Sequence, residues 1–398
     1  MTATGDLFDV HVGPVAHGGH FVARHQGQVV FVRHALPGER VRVRVTEVRR
    51  GYLRADVVDV LAGSTDRVVP PCPYAGPGRC GGCDFQHVAP EAQRRLKADV
   101  VKEQLLRLGG LTAADLPGGF TVEALPGGPL GWRTRMRYAV SGEGRVGLRR
   151  HRSHGVVPVD RCQLAVPEIQ TPPPVGDRWH GTSGVLVVRG VDGRVTVCRE
   201  RSQGLTRVTG PAEVTEHAVG RDWRLRPDAF WQVHPAAVDT LVNCVLDLLR
   251  PVPDEHAWDL YGGAGLFAVA LATRVGPGGR VITVESDPTS DPRGKLDDLP
   301  QIRAVRGRVE QILARRAMRH ADLVVLDPPR SGAGADVVRR IVAAGPRAVA
   351  YVACDPAALA RDVAAFRGLG WRLAELRGFD MFPMTHHVEC VGLLLPSR

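Results

Sequence analysis

Between residues 40 and 62 apolar and polar side chains alternate one by one. Val41-Arg42-Val43-Arg44-Val45 places valines on one face and arginines on the other, and residues 55–60 repeat a short strand after a Gly51-Tyr52 turn. A period of two is that of a half-buried strand. With further turns marked by Gly18-Gly19 and Pro37-Gly38, residues 1–62 predict a small OB-like β-barrel with a basic face. Val69-Pro70-Pro71 follows as a linker. At Glu91 the period changes: Leu96, Val100, Leu105 and Leu108 recur near helical spacing and predict an amphipathic helix over 91–109, stopped by Gly109-Gly110. From about 121 to 226, short strands broken by glycine predict an antiparallel-rich middle domain, with residues 171–174 an extended proline loop.

A third regime begins near Pro235. A helix over 235–249 is followed by apolar runs at 257–260, 281–284, 302–305, 323–326 and 349–352, with helical stretches between them. Two more strands fall near 371–376 and 387–394, the last carrying Glu389 at its start. Strands alternating with helices predict an α/β fold with a doubly wound, mostly parallel sheet. The expected division is therefore a barrel over 1–62, a central domain over 70–226 whose helix 91–109 can pack on the third unit, and an α/β domain over 227–398.

In such sheets ligands bind at the carboxyl ends of the strands, and the chain concentrates chemistry there. Trp258-Asp259-Leu260-Tyr261-Gly262-Gly263-Ala264-Gly265 is a strand, a glycine-rich turn and a helix start. Glu285, ending the next strand, can accept from ribose hydroxyls. The glycine spacing departs from the dinucleotide pattern, which favours S-adenosylmethionine over NAD. Asp327-Pro328-Pro329-Arg330 ends the fourth strand. The position after the two prolines is aromatic in enzymes that methylate exocyclic amines; arginine here disfavours that chemistry. Cys354 follows the fifth strand, with Asp355 as helix cap and Pro356 as first helical residue. A helix N-terminus beside a thiol favours thiolate, so Cys354 is a candidate nucleophile. The start of the last strand lies on the same edge, which makes Glu389 the candidate base.

Composition narrows the partner. Of 398 residues 44% are apolar and 24% charged, as in a soluble protein, while the net charge is +10, carried almost entirely by arginine. Arginine suits phosphate contacts and base stacking, so a polyanion is expected. No long apolar run suggests a membrane span, and residues 1–10 do not resemble a secretory leader; a cytoplasmic monomer is expected. Cysteines in that compartment are not disulfides. Cys72, Cys80 and Cys83 cluster, with Cys162 beyond, and Gly81-Gly82 lets thiolates converge. By spacing, zinc and an iron–sulfur cluster are equally open.

Over nearly its whole length the chain resembles the RNA uracil-5-methyltransferase family. The barrel resembles that family's TRAM module, and Cys72, Cys80, Cys83 and Cys162 match its [4Fe–4S] ligands. Phe230-Trp231-Gln232-Val233 is similar to the segment whose Gln contacts the methyl donor and whose Phe lies at the target base. The stretches 259–267, Glu285, 327–330, 354–356 and 380–389 fall in family order, while His234, Leu266 and Arg308 depart from it. The resemblance implies a class I fold and an S-adenosylmethionine cofactor bound by Gln232, Tyr261, Gly262, Glu285 and Asp327. It implies Phe230 at the substrate, a covalent adduct of Cys354 with uracil C6, Asp327 on the base edge and Glu389 removing the C5 proton. The RNA is ribosomal or transfer, with ribosomal favoured. Two other readings stand beside this one, a cytosine-5 RNA methyltransferase and a non-catalytic RNA-binding factor.

Overall fold

The computed structural model describes all residues except 1, 172, 174–178, 316, 317 and 398, so the 171–174 loop falls partly outside the described residues. Strands β1 (Leu7–His11), β2 (Val15–Ala16), β3 (His20–His25), β4 (Gln28–Arg33), β5 (Arg40–Arg49) and β6 (Tyr52–Ala62) form one sheet, ordered β1-β5-β6-β4-β3-β2. The sheet curls onto itself. Just past β1, Gly13 N donates to Val22 O of β3 at 2.7 Å, and Val22 N donates to Pro14 O at 2.9 Å. Closure leaves one interior, where Val41, Val43 and Val45 are buried while the β5 arginines between them face outward.

Helix α1 (Pro90–Arg107) stops two residues short of the expected glycines. Gly109 is pressed against the last turn, where a Cβ would come 2.5 Å from Leu105 O. Periodicity suggested one apolar face; the helix has two. Ala92, Leu96 and Val100 join the barrel core, and Ala98, Val101 and Leu105 join the core of the C-terminal sheet. Even Gln93, Lys97 and Gln104 are buried.

Strand β7 (Val122–Ala124), expected in the middle domain, instead pairs with the far edge of the C-terminal sheet. The middle sheet contains β8 (Arg135–Val140), β9 (Val146–Arg149), β10 (Val156–Pro158), β11 (Gly184–Arg189), β12 (Val195–Arg201) and β13 (Gly204–Thr209). Its order is β10-β9-β8-β11-β12-β13, antiparallel throughout. The hairpin β14 (Val214–Ala218) and β15 (Arg221–Leu225) also departs from the expected division, because Ala218, Trp223 and Leu225 are buried in the C-terminal core.

The C-terminal part runs α2 (Ala237–Leu249), β16 (His256–Leu260), α3 (Leu266–Val275), β17 (Arg280–Glu285), β18 (Ile302–Arg306), α4 (Val309–Ile312), β19 (Leu323–Leu326), α5 (Ala335–Ala343), β20 (Ala348–Ala353), α6 (Pro356–Arg367), β21 (Trp371–Asp380) and β22 (Glu389–Pro396). The five expected parallel strands are all present, and the sheet order is β18-β17-β16-β19-β20-β22-β21-β7. β22 runs antiparallel between β20 and β21, which puts its start on the edge where β20 ends. From β16 the chain winds first toward β17 and later toward β19, so a crevice opens where those directions diverge. Among the described residues no helix is long and apolar enough to cross a membrane.

Candidate active site

The turn after β16 is strained and tightly packed. Tyr261 has φ 62°, a left-handed conformation that costs a non-glycine residue about 1–3 kcal/mol. At Gly262 a Cβ would lie 2.1 Å from Thr283 Oγ1 and 2.7 Å from Asp259 Oδ2, so only glycine fits. Asp259 is buried; it accepts from Ala268 N at 3.0 Å and Thr283 Oγ1 at 3.1 Å, and its other oxygen has no partner among the described residues. Burial pushes its carboxyl up to about 7. Glu285, at the end of β17, accepts from Gly263 N at 2.8 Å and from the amides of Ser286 and Asp287 at 2.5 and 2.6 Å. These bonds fasten the glycine turn to the end of the neighbouring strand.

That turn forms one wall of a cleft of about 830 Å³ at the carboxyl edge of the sheet. Phe230, Gln232, Tyr261, Gly262, Glu285, Asp327, Cys354 and Glu389 all line it. Every site residue expected outside the cysteine cluster is thus brought to one cavity, from six separate segments. Phe230 is 61% exposed, unusual for an aromatic ring and well placed to meet a planar ligand. The volume suits a cofactor together with part of a substrate.

The pairing of β20 with β22 sets the reacting groups opposite one another. Ala353 is registered with Cys390, and one step further along that register places Cys354 across from Glu389. Directly opposite side chains on an antiparallel pair lie about 4.5–5.5 Å apart at Cβ. Asp355 caps α6 by accepting from Ala358 N at 2.8 Å, as the sequence suggested. The expected thiolate is not what the surroundings favour. Burial pushes the Cys354 thiol up to about 12, reinforced by the carboxylates of Glu389 and Asp327 and only partly offset by Arg330. Desolvation and two nearby acids outweigh one helix terminus. Glu389, 3% exposed, is itself raised well above the ordinary carboxylate range by burial and then by Asp327. Asp327 is raised by burial and by Asp259 and Glu285. Asp259, Asp327, Glu389 and the Cys354 thiol lie close together: Asp259 disfavours ionisation of Asp327, Asp327 that of Glu389, and Asp327 and Glu389 together that of the thiol.

Other lining residues were given no individual role from the sequence. His387 and Phe382 stand at the cleft, ring centroids 5.9 Å apart. Burial pushes His387 down to about 3, so its neutral ring accepts from Arg330 Nη2 at 3.4 Å. Ser290 also lines the cleft, and Phe230 N donates to its hydroxyl at 3.3 Å. None has a strand-end position to betray it; only the fold brings them in. Arg308 reaches the cleft wall too, where it pairs with Glu310 at 3.5 Å.

The cysteine set is gathered but not converged. Among the described residues no group of three or more His, Cys, Asp or Glu side chains is arranged to hold a metal ion. Yet Cys72, Cys80 and Cys162 each contribute to raising the Cys83 thiol, behind burial as the main cause. The four are therefore near enough to sense one another's charge. Gln86 Nε2 donates to Cys83 Sγ at 3.3 Å and Gly82 N to Cys80 Sγ at 3.4 Å, contacts that suit a thiolate sulfur. Four thiol side chains within reach of one another are a donor set of the kind that thiophilic metal centres take. Cys83 and Cys162 also pack against the cluster formed by Trp132, Leu164 and Met384, to which Phe382 and Val233 of the cleft wall belong.

Comparison with known proteins accords with this arrangement. Residues 2–58 match the TRAM domain, and residues 306–398 match the tRNA (Uracil-5-)-methyltransferase family. A Streptomyces avermitilis protein described as an uncharacterized RNA methyltransferase is 48% identical, over 99% of both chains. The 23S rRNA (uracil(1939)-C(5))-methyltransferase RlmD of Alkalilimnicola ehrlichii is 32% identical, over 97% of this chain and 96% of that one. Among solved structures, the Pyrococcus abyssi tRNA (uracil-54, C5)-methyltransferase in complex with S-adenosyl-L-homocysteine covers 97% of this chain and 99% of that one. Its TM-score is 0.71 at 23% identity, a likeness of fold.

Proposed function

The chain belongs to the RNA uracil-5-methyltransferase family, and from that premise we propose that it methylates C5 of one uridine of 23S ribosomal RNA through a covalent adduct at Cys354. The observation that carries the reading is the register of β20 and β22, which faces a thiol with a buried acid in a cleft also lined by Asp327, Gln232 and Phe230. S-adenosylmethionine, when bound against Gln232, Tyr261, Gly262 and Glu285, supplies an electrophilic methyl group. The rest falls to the protein. C5 of uracil is a weak nucleophile until Cys354 Sγ bonds to C6 and the electron pair of the C5–C6 double bond passes to the C4 oxygen as an enolate. Asp327 holds the base edge by accepting from uracil N3–H, and Phe230 stacks on the ring. Once C5 carries the methyl group, the Glu389 carboxylate takes the C5 proton. The freed pair restores the double bond, and the C6–S bond breaks to release Cys354. Burial of Glu389 serves this step, because a carboxylate raised above its ordinary range is a stronger base.

Cys72, Cys80, Cys83 and Cys162 would hold a [4Fe–4S] cluster that ties the central domain to the cleft wall through Cys83 and Cys162. Anaerobically purified protein should then be brown and contain iron; stoichiometric zinc without iron would replace the cluster by a zinc site.

One observation favours a second reading. A protonated Asp327 could donate to N3 of cytosine, and its surroundings raise its carboxyl. Mass-spectrometric mapping of ribosomal and transfer RNA from a deletion strain tests both. Loss of 5-methyluridine at one 23S position supports the proposal. Loss from transfer RNA alone moves the substrate, and loss of 5-methylcytidine instead moves the base.

A further inference from the structure

The barrel reaches the nucleophile. Its β2–β3 loop carries His17, whose Nε2 lies 3.0 Å from Asp355 Oδ2, the residue after Cys354. The contact is anchored rather than incidental. Gly19, two residues along the loop, packs so closely that a Cβ there would stand 2.8 Å from His386 Cβ and 3.2 Å from Asp84 Cβ. Asp84 in turn accepts from Arg33 of the barrel at 3.2 Å and from His386 N at 3.2 Å. Between loop and nucleophile lies a second chamber of about 160 Å³ that shares Cys354 with the main cleft and is closed by His17, Gly18 and Gly19. Cys354 is therefore a partition with the sheet on one side and the barrel on the other.

We propose that His17 is a positioning residue for methyl transfer: by holding Asp355, the barrel fixes the turn that aims Cys354 Sγ at C6 of the target base. Asp355 already caps α6 through Oδ1, so the bond from His17 to Oδ2 pins the side chain's remaining oxygen and fixes the turn from both sides. A half-exposed hydrogen bond of this kind adds little to stability. Its effect falls on alignment, where small displacements of a nucleophile cost large factors in rate. The inference rests on Cys354 acting as the nucleophile.

The test measures the rate of covalent protein–RNA adduct formation in a Glu389→Gln background, at saturating RNA and S-adenosylmethionine. The RNA is total RNA from a strain lacking the enzyme. His17→Ala should slow adduct formation about tenfold, with the S-adenosylmethionine Kd unchanged. His17→Gln, whose amide can still donate to Asp355, should restore the rate to within about twofold. A normal rate in His17→Ala overturns the inference alone. So does a loss that His17→Gln fails to restore and that tracks a lowered Tm, since the loop then only docks the barrel. Absence of adduct with His17 intact overturns the assignment of Glu389 as the base instead.

Discussion

At the residue scale the site is governed by which of four crowded groups carries a proton. Cys354, pushed up to about 12, is a thiol at neutral pH, and addition to C6 needs the thiolate. The sign follows directly: raising pH increases the thiolate fraction, so kcat/KM should climb from pH 7 to pH 9. A flat profile there would show that bound RNA, rather than solvent pH, sets the thiol's state. Removing a negative neighbour should move the thiol down. Asp327→Asn is therefore expected to speed alkylation of Cys354 by iodoacetamide at pH 8 several-fold while abolishing methylation, read by peptide mass spectrometry. Slower alkylation would contradict the electrostatic account. The base is tested separately. Glu389→Gln should lose about 10²–10⁴-fold in turnover and accumulate adduct stable to denaturing electrophoresis, and Cys354→Ala should show neither turnover nor adduct. Near-normal turnover in Cys354→Ala would end the mechanism. Identity and place of these residues were legible in the sequence because each sits at a strand end, where topology dictates position. Their ionisation was not, since it depends on side chains from β19, β20 and β22 meeting in a volume that no local pattern describes.

At the scale of elements, α1 carries the clearest lesson. Its spacing announced a helix but only one apolar face. The structure buries it on two sides, and a lysine goes inside with it. Lys97 Nζ donates to Asp380 Oδ1 at 2.5 Å and to Phe382 O at 3.1 Å, with the lysine fully buried. Burial pulls the Lys97 ammonium down, and Asp380 opposes that shift. A charge inside a helix reads as solvent-facing when the partner, from the end of β21, is far away in sequence. Hence the periodicity could not show that α1 bridges two cores. Breaking such a pair from one side leaves an uncompensated buried charge, at a cost of about 3–5 kcal/mol. Lys97→Met should lower stability by that amount in urea unfolding, and Lys97→Met with Asp380→Leu should recover most of it. A single mutant as stable as the parent would mean that the pair is solvated. Asp380 begins the segment that leads through Phe382 and His387 to Glu389, so the same single mutant should also reduce activity beyond its effect on folded protein.

At the scale of the whole molecule, the barrel is not a separable module. Phe85, Val88, Ala92, Leu96 and Val100 share its core, so deleting residues 1–62 would strip one face of α1. Its contribution to RNA binding is better tested by charge. Where the barrel meets the middle sheet, arginines and histidines are packed together. Arg54 Nη1 donates to His20 Nε2 at 3.0 Å, and burial together with Arg54 pushes His20 down to about 3. Arg152, with φ 50°, is lowered by burial and next by Arg54. His151 is pushed down to about 4 by burial and Arg33, and its Nε2 has no hydrogen-bond partner among the described residues. Burial holds both histidines neutral and leaves Arg54 and Arg152 as the charges, so this junction is where the +10 charge should meet a phosphate of the RNA. Binding there releases counterions, and each phosphate contact contributes about 0.9 to the slope of log affinity against log salt. Arg152→Ala should weaken RNA binding several-fold at moderate salt, flatten that slope by about 1, and leave S-adenosylmethionine affinity unchanged. Filter binding across a salt series reads all but the last, which calorimetry supplies. An unchanged slope would place the RNA backbone elsewhere and leave the crowded cations as a feature of domain packing.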